Sequence, residues 1–525
     1  DKVLALTALQ PVIEVGNPLG DYPDRSWERV YHDQYRYDSS FTWCCSPNDT
    51  HACRIRAFVR NGVVMRVEQN YDHQTYEDLY GNRGTFAHNP RMCLKGFTFH
   101  RRVYGPYRLK GPLMRKGWKA WMDDGSPELT PDTKRKYKFD SRFLDDMLRV
   151  SWDTAFTYAA KAYIIIATRY SGEAGARRLR EQGYAPEMIE MMKGAGTRCF
   201  KHRAGMPVLG ILGKMGNTRM NGGINALLDS WIRKVGPEQA QGGRYWSNYT
   251  WHGDQNPAQP WWSGAQGSDI DLSDMRFSKL NTSWGKNFVE NKMPEAHWKL
   301  ECIERGARVV VITPEYNPTA YRADYWMPLR PESDGALFLG AMKIIVDENM
   351  HDIDFLKSFT DAPILVRTDT LQYLDPRDVV KDYAFPDFSK SYSGRMQSLK
   401  PEQIERLGGM MVWDLNKKAA VPLHREQVGW HYTNSGIDAA LNGTFRVKLL
   451  NGREIDAMPV WQMYLVHFQD YDLDTTHQIC RTPKDLIVRW ARDSGTIKPA
   501  AIHNGEGTCH YFHQTINARG AAMVL

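Results

Sequence analysis

Leu280-Asn-Thr-Ser-Trp284-Gly285-Lys286-Asn287, then Pro294 to Arg305, then Gly306 and Arg308-Val-Val-Val-Ile-Thr313, reads as strand, turn, helix and strand. The glycine suits the turn, Gly306 suits the end of the helix, and the β-branched run Val309 to Ile312 suits a buried strand. Strand starts about thirty residues apart, a glycine turn after the first and an acid, Glu315, just past the second predict a βαβ nucleotide-binding half-fold. The turn lacks a full GxGxxG. Near the C-terminus Pro499-Ala-Ala-Ile-His503 predicts another short strand, running into Asn504-Gly505-Glu506-Gly507 and a helix from Cys509 to Arg519. Two nucleotide-type crevices are therefore expected. Between these regions Asp375 to Asn442 is polar and rich in breakers, and reads as an irregular insertion.

Towards the N-terminus the pattern changes to one of metal ligands. Cys45-Ser-Pro-Asn-Asp49-Thr-His51-Ala-Cys53 is followed by Asn89-Pro-Arg-Met-Cys93-Leu-Lys95-Gly96, and Cys44, Cys45, Cys53 and Cys93 gather in the first fifth of the chain. Soft thiolates at short intervals suit an iron–sulfur site, with structural zinc as the alternative reading. Arg54 to Val59 and Val63 to Glu68 alternate in polarity around Asn61-Gly62, which predicts a hairpin with a type I′ turn and Cys53 at the mouth of its first strand. A helix is expected behind Ser151, with Ala155, Phe156, Ala159 and Tyr163 at helical spacing.

The bulk numbers narrow the classes. A chain of 525 residues exceeds what one core supports, so several domains are expected. A net charge of +7, with scattered basic residues, gives little support to nucleic-acid binding. The longest apolar run, Ala159 to Thr168, is too short to cross a bilayer. No secretory leader precedes Asp1, and a processed or trimmed N-terminus is expected. The expected divisions are 1–145 as an α+β iron–sulfur module, 146–260 as a first α/β portion, 261–375 as an inner nucleotide-binding domain, 376–445 as the insertion and 446–525 as a return to the α/β domain.

The cysteine loop, Cys93-Leu-Lys95-Gly96, Arg149-Val-Ser-Trp152-Asp, Tyr249-Thr-Trp251-His252-Gly-Asp254, Trp284-Gly-Lys-Asn287, Met293-Pro-Glu-Ala-His297-Trp and Gly505-Glu-Gly together resemble the catalytic α subunits of the dimethyl-sulfoxide-reductase family of molybdopterin oxidoreductases. Within that family the chain is most similar to the branch containing ethylbenzene dehydrogenase, steroid C25 dehydrogenase, nitrite oxidoreductase and respiratory nitrate reductase. The resemblance implies an α/β fold of Rossmann-like domains that bind two molybdopterin guanine dinucleotides (a bis-MGD molybdenum cofactor) and one [4Fe-4S] cluster. It implies Asp254 as molybdenum ligand, where the loop alone would favour an Asx-type turn residue, and His252 as a neighbour able to reach substrate. It implies Cys45, Asp49, Cys53 and Cys93 as cluster ligands, with His51 and Cys44 in reserve because a carboxylate at Asp49 departs from the common pattern.

Lys95 would bridge cluster and pterin, and Trp284, Gly285, Asn287, Thr313, Glu315, Asp334, Gly505 and Gly507 would meet the nucleotides. The activity implied is oxygen-independent hydroxylation of an alkyl C–H on a small hydrophobic substrate, favoured by the tryptophans around Asp254. Nitrite oxidation or nitrate reduction is the alternative. An iron–sulfur β subunit, a haem-binding γ subunit and a periplasmic location are also implied. Relatives of this branch continue into a C-terminal β-barrel-like domain, which this chain is expected to lack.

Overall fold

The structure is a computed structural model and describes residues 28, 32, 35–45, 53–70, 91–142, 144–204, 216–247, 272–391, 397–407, 409–508 and 511–524. The chain forms two compact units. The first comprises Asp1–Gln255, Asp271–Ser273 and Phe288–Leu300; the second comprises Asn256–Ile270, Asp274–Asn287 and Glu301–Leu525.

The first unit begins with an antiparallel sheet of β1 (Ser39–Cys45), β2 (Cys53–Arg60) and β3 (Val63–Gln69), in the order β1-β2-β3. The β2–β3 hairpin is the expected one. Asn61 and Gly62 take φ values of +50° and +75°, which matches the right-handed twist of the strands they join. The alternation of β2 sends Ile55 and Ala57 into a core shared with Val67, Met92, Cys45 and Cys53. β1 was not anticipated. Its register sets Cys45 directly opposite Cys53, so two residues eight apart in sequence meet across one pair of strands.

Beyond a short antiparallel pair, β4 (Leu113–Arg115) and β5 (Met147–Arg149), lies the expected helix, Trp152–Arg169. Ser151 caps it by accepting the Thr154 N–H at 3.1 Å. Then β6 (Lys201–Ala204) and β7 (Arg244–Ser247) pair in parallel. Their crossover carries the helix Asn225–Arg233, entered through a π-helical stretch, Arg219–Ile224. The chain leaving the C-terminal end of β7 runs towards Asp254.

In the second unit β8 (Leu280–Trp284), β9 (Arg308–Ile312) and β10 (Tyr325–Met327) are parallel strands. The crossover from β8 to β9 consists of Phe288–Asn291, a 3-10 turn Met293–Glu295 and the helix Ala296–Glu304, ended by Gly306 at φ +82°. Next come β11 (Leu365–Arg367), β12 (Gly409–Asp414), β13 (Ala419–His424), β14 (Phe445–Lys448) and β15 (Glu454–Pro459). The expectation of an irregular excursion over Asp375 to Asn442 is corrected here: β12 and β13 form an antiparallel hairpin, and Met411 of β12 joins a core with Leu365, Val447 and Ile455. The breakers Gly409 and Pro422 lie at the hairpin's edge positions, where they cost little.

β16 (Ala500–Asn504) returns to pair in parallel with β8, giving the order β10-β9-β8-β16. Every residue of β8 is buried although three are polar; Thr282, for example, accepts the Trp490 indole N–H at 3.1 Å. The helix Asp334–Asp347 crosses this sheet with Leu337, Phe338, Ala341 and Ile345 turned inward. The last helix runs over Gln514–Val524, later than the predicted Cys509 to Arg519, because a 3-10 turn at Glu506–Thr508 intervenes. No helix among the described residues is long and apolar enough to cross a membrane.

Candidate functional site

The strand order overturns the expectation of two separate crevices at the glycine turns. From β8 the chain passes to β9 and β10 on one side, whereas β16 lies on the other, so the order reverses between β8 and β16. Such a reversal opens a crevice at the C-terminal ends of parallel strands. Both glycine turns leave from that edge, and they form one crevice.

Their backbones touch. The N–H of Gly505 donates to the Trp284 carbonyl at 2.7 Å, and that of Gly507 to the Gly285 carbonyl at 3.1 Å. A Cβ on Gly505 would stand 2.5 Å from the Gly285 oxygen, and one on Gly507 would stand 2.6 Å from it. Gly285 has φ +60°, and its own N–H donates to the Ile312 carbonyl at 2.9 Å. These three glycines are therefore required by close approach. Their amides are already engaged, so they act by keeping the crevice floor bare rather than as phosphate donors.

The remaining predicted nucleotide residues collect at the same edge. Asn287 accepts the Thr319 hydroxyl at 3.0 Å. Thr313, just past β9, donates to the Glu315 carbonyl at 2.6 Å, and Glu315 itself is exposed. Trp284 corrects the expectation that its side chain meets a ligand. Its indole is fully enclosed, stacks on Phe338 with centroids 3.6 Å apart and donates to Asp334 Oδ1 at 2.6 Å. Asp334, the first residue of its helix, is buried. Burial pushes its carboxyl up to about 6, against the opposing pull of the Trp284 hydrogen bond and its own backbone N–H. Asn517 was missed by sequence reasoning: it accepts the Gly335 N–H at 3.0 Å and fastens the last helix to the start of this one. A lone asparagine inside a helical run carries no pattern that would have marked it.

In the first unit three of the four predicted cluster ligands are described. Cys45 and Cys53 are buried, and Cys93 caps the short helix Leu94–Phe97, on which Lys95 is exposed. The three are free thiols. Burial, and then the neighbouring Cys45 and Cys93, push the Cys53 thiol up to about 12. Three buried thiolates at one place require a cationic group to stabilise them. Among the described residues no three His, Cys, Asp or Glu side chains converge closely enough for a single ion, whereas zinc at about 2.3 Å from each sulfur would demand such convergence. The donor set fits a larger, polynuclear group. Gly96 lies beside it: a Cβ there would stand 2.4 Å from Met92 Cγ and 3.7 Å from Cys45 Sγ. Asp49 and His51, and likewise His252 and Asp254, lie outside the described residues.

A cleft of about 1220 Å³ between Phe359 and His431, lined by Tyr373, Arg377, Met410 and Trp430, holds none of the predicted site residues.

A parallel sheet with glycine turns meeting at a strand-order reversal, preceded in sequence by a thiol cluster, defines an α/β protein built to hold a nucleotide-type cofactor together with a second metal group. The molybdopterin oxidoreductase family profile matches residues 108–524, and the chain belongs to that family, which carries molybdenum on a molybdopterin cofactor. It is 26% identical to the perchlorate reductase subunit alpha of Dechloromonas aromatica over 96% of this chain and 47% of that protein. It is 26% identical to the respiratory nitrate reductase subunit alpha of Haloferax mediterranei over 100% of this chain and 45% of that protein. Identity to the chlorate reductase subunit alpha of Ideonella dechloratans is also 26%, over 72% of this chain and 33% of that protein. The chain thus spans just under half the length of the first two relatives. Acetylene hydratase from Pelobacter acetylenicus superposes with a TM-score of 0.42 at 14% identity, covering 92% of this chain and 42% of that one.

Proposed function

We propose that this chain is part of the catalytic subunit of a molybdenum oxidoreductase that transfers an oxygen atom to or from a small oxyanion of the nitrate or chlorate type. The observation that carries this reading is the similarity, along nearly the whole chain, to subunits named as perchlorate and nitrate reductases. It replaces alkyl hydroxylation as the favoured activity, because the tryptophan-rich loop that pointed to a hydrocarbon lies almost wholly outside the described residues. The relatives are named as alpha subunits, which supports a partner chain that exchanges electrons with this one; an iron–sulfur β subunit and a haem-binding γ subunit remain part of the proposal.

Bound molybdenum would supply two-electron redox chemistry at the substrate. The chain's own contribution divides between its units. In the second, Gly285, Gly505 and Gly507 would let the guanine dinucleotide form of the cofactor approach the strand ends, while Asn287, Thr313 and Glu315 line the edge and Asp334 braces it from beneath. In the first, Cys45, Cys53 and Cys93, with Asp49, would hold a [4Fe-4S] cluster, and Asp254 would reach the molybdenum from the loop after β7.

The test is a dye-coupled assay of the assembled complex. Reduced-viologen oxidation by nitrate, chlorate and perchlorate is compared with dye reduction by ethylbenzene and by a sterol side chain. Turnover of at least one oxyanion is expected. Turnover of a hydrocarbon with none of an oxyanion would restore the alkyl reading.

A further inference from the structure

The motif Met293-Pro-Glu-Ala-His297 takes no part in the glycine crevice, yet the fold brings it to the thiols. The backbone N–H of Arg91 donates to the Pro294 carbonyl at 2.7 Å, which fastens the segment bearing Cys93 to the 3-10 turn Met293–Glu295. Met92, the next residue, is buried in one core with Cys45 and Cys53, and accepts no slack, because its N–H donates to the Gln69 side chain at the end of β3. Glu295 closes this turn and is 7% exposed, an uncommon position for a glutamate. Its charge reaches Cys53, where it adds to the effects of burial and of Cys45 and Cys93. In a poorly screened interior a fixed charge acts over several ångströms.

We propose that Glu295 is a positioning residue that keeps the reduction potential of the iron–sulfur group at Cys45, Cys53 and Cys93 low, acting through the Cys53 thiolate. The inference rests on the cluster reading given above. Reduction adds one electron to a group already surrounded by thiolates, and a fixed carboxylate alongside makes that addition less favourable. The same charge would favour passing the electron on, so Glu295 biases the cluster towards donation. Arg91 and Pro294 set the placement through their backbones, which leaves the charge itself open to removal by a change at one side chain.

The experiment is an EPR-monitored redox titration of the anaerobically purified complex, with iron content measured in parallel. In Glu295→Gln the ratio of reduced to oxidised cluster at a fixed potential is expected to rise about tenfold, a shift of about 59 mV to more positive potential for a one-electron couple. Glu295→Asp, which keeps the charge, is expected to stay near the unsubstituted protein. A Glu295→Gln potential that is unmoved or more negative overturns the proposal. Loss of iron from both Glu295→Gln and Glu295→Ala overturns it as well, and assigns Glu295 to cluster retention. Absence of any iron–sulfur signal in the unsubstituted complex instead sinks the cluster reading itself.

Discussion

In the antiparallel sheet β1-β2-β3 the ligand groups are side chains, with Cys45 set against Cys53 by strand register and Cys93 brought in by the segment after Gln69. In the parallel sheet β10-β9-β8-β16 the comparable edge is made by missing side chains, because Gly285, Gly505 and Gly507 let two turns meet backbone to backbone. The first arrangement is vulnerable to changes of chemistry and the second to changes of volume. A thiol can be replaced by something of similar size and the sheet will stand, but no side chain of any kind fits at Gly505.

Four substitutions separate these modes, beginning with the largest effect. Cys53→Ala should abolish the iron–sulfur signal, measured as iron content and low-temperature EPR, while circular dichroism keeps the native secondary structure; full retention of iron would falsify its place in the ligand set. Trp284→Ala removes the enclosed indole between Phe338 and Trp490 and should cost about 3–5 kcal/mol, read as a lowered urea midpoint, with the iron signal retained. If iron were lost together with the second unit's stability, the two modes would not be separable.

Asp334→Asn tests the electrostatics beneath the crevice. The folded carboxyl has its pKa raised from 3.8 to about 6, so the native state holds the proton more tightly than the unfolded chain. The associated stability is present in full below pH 3.8 and is lost as pH rises through about 6. The substitution keeps an acceptor for the Trp284 indole and should flatten this part of the stability profile, by up to about 3 kcal/mol. An unchanged slope between the two pH limits would show that burial does not govern this group. Gly505→Ala should destabilise by about 1–3 kcal/mol through overpacking against the Gly285 carbonyl, whereas Gly62→Ala, with no atom within 4 Å of its Cβ, should show only the smaller penalty of its positive φ. Equal costs at the two glycines would remove close approach as the reason for Gly505.

Much of this could be read in order along the chain. The Asn61-Gly62 hairpin, the Ser151 cap and the strand–turn–helix–strand from Leu280 to Thr313 all rest on local rules, since turn φ, N-cap bonding and side-chain alternation depend on neighbours a few residues away. The clustering of Cys45, Cys53 and Cys93 was legible because metal chemistry restricts residue type more strongly than packing does. β1 was missed since Ser39-Ser-Phe-Thr-Trp43 has no turn signal that joins it to β2. Trp284 was misjudged for a similar reason: a tryptophan at a strand end is equally consistent with a ligand wall and a core anchor until Phe338, 54 positions later, is known to stack on it.

Residue chemistry and local backbone preference thus specified the elements, the thiol donors and the glycine turns. Which strands became neighbours was settled only in three dimensions. β16 lies beside β8 because burying both faces of a fully apolar-walled sheet rewards a pairing between segments more than two hundred residues apart, a long-range contact that no short window records. That one pairing merged two expected crevices into one, committed the amides of Gly285, Gly505 and Gly507 to the backbone, and left bare space as their contribution.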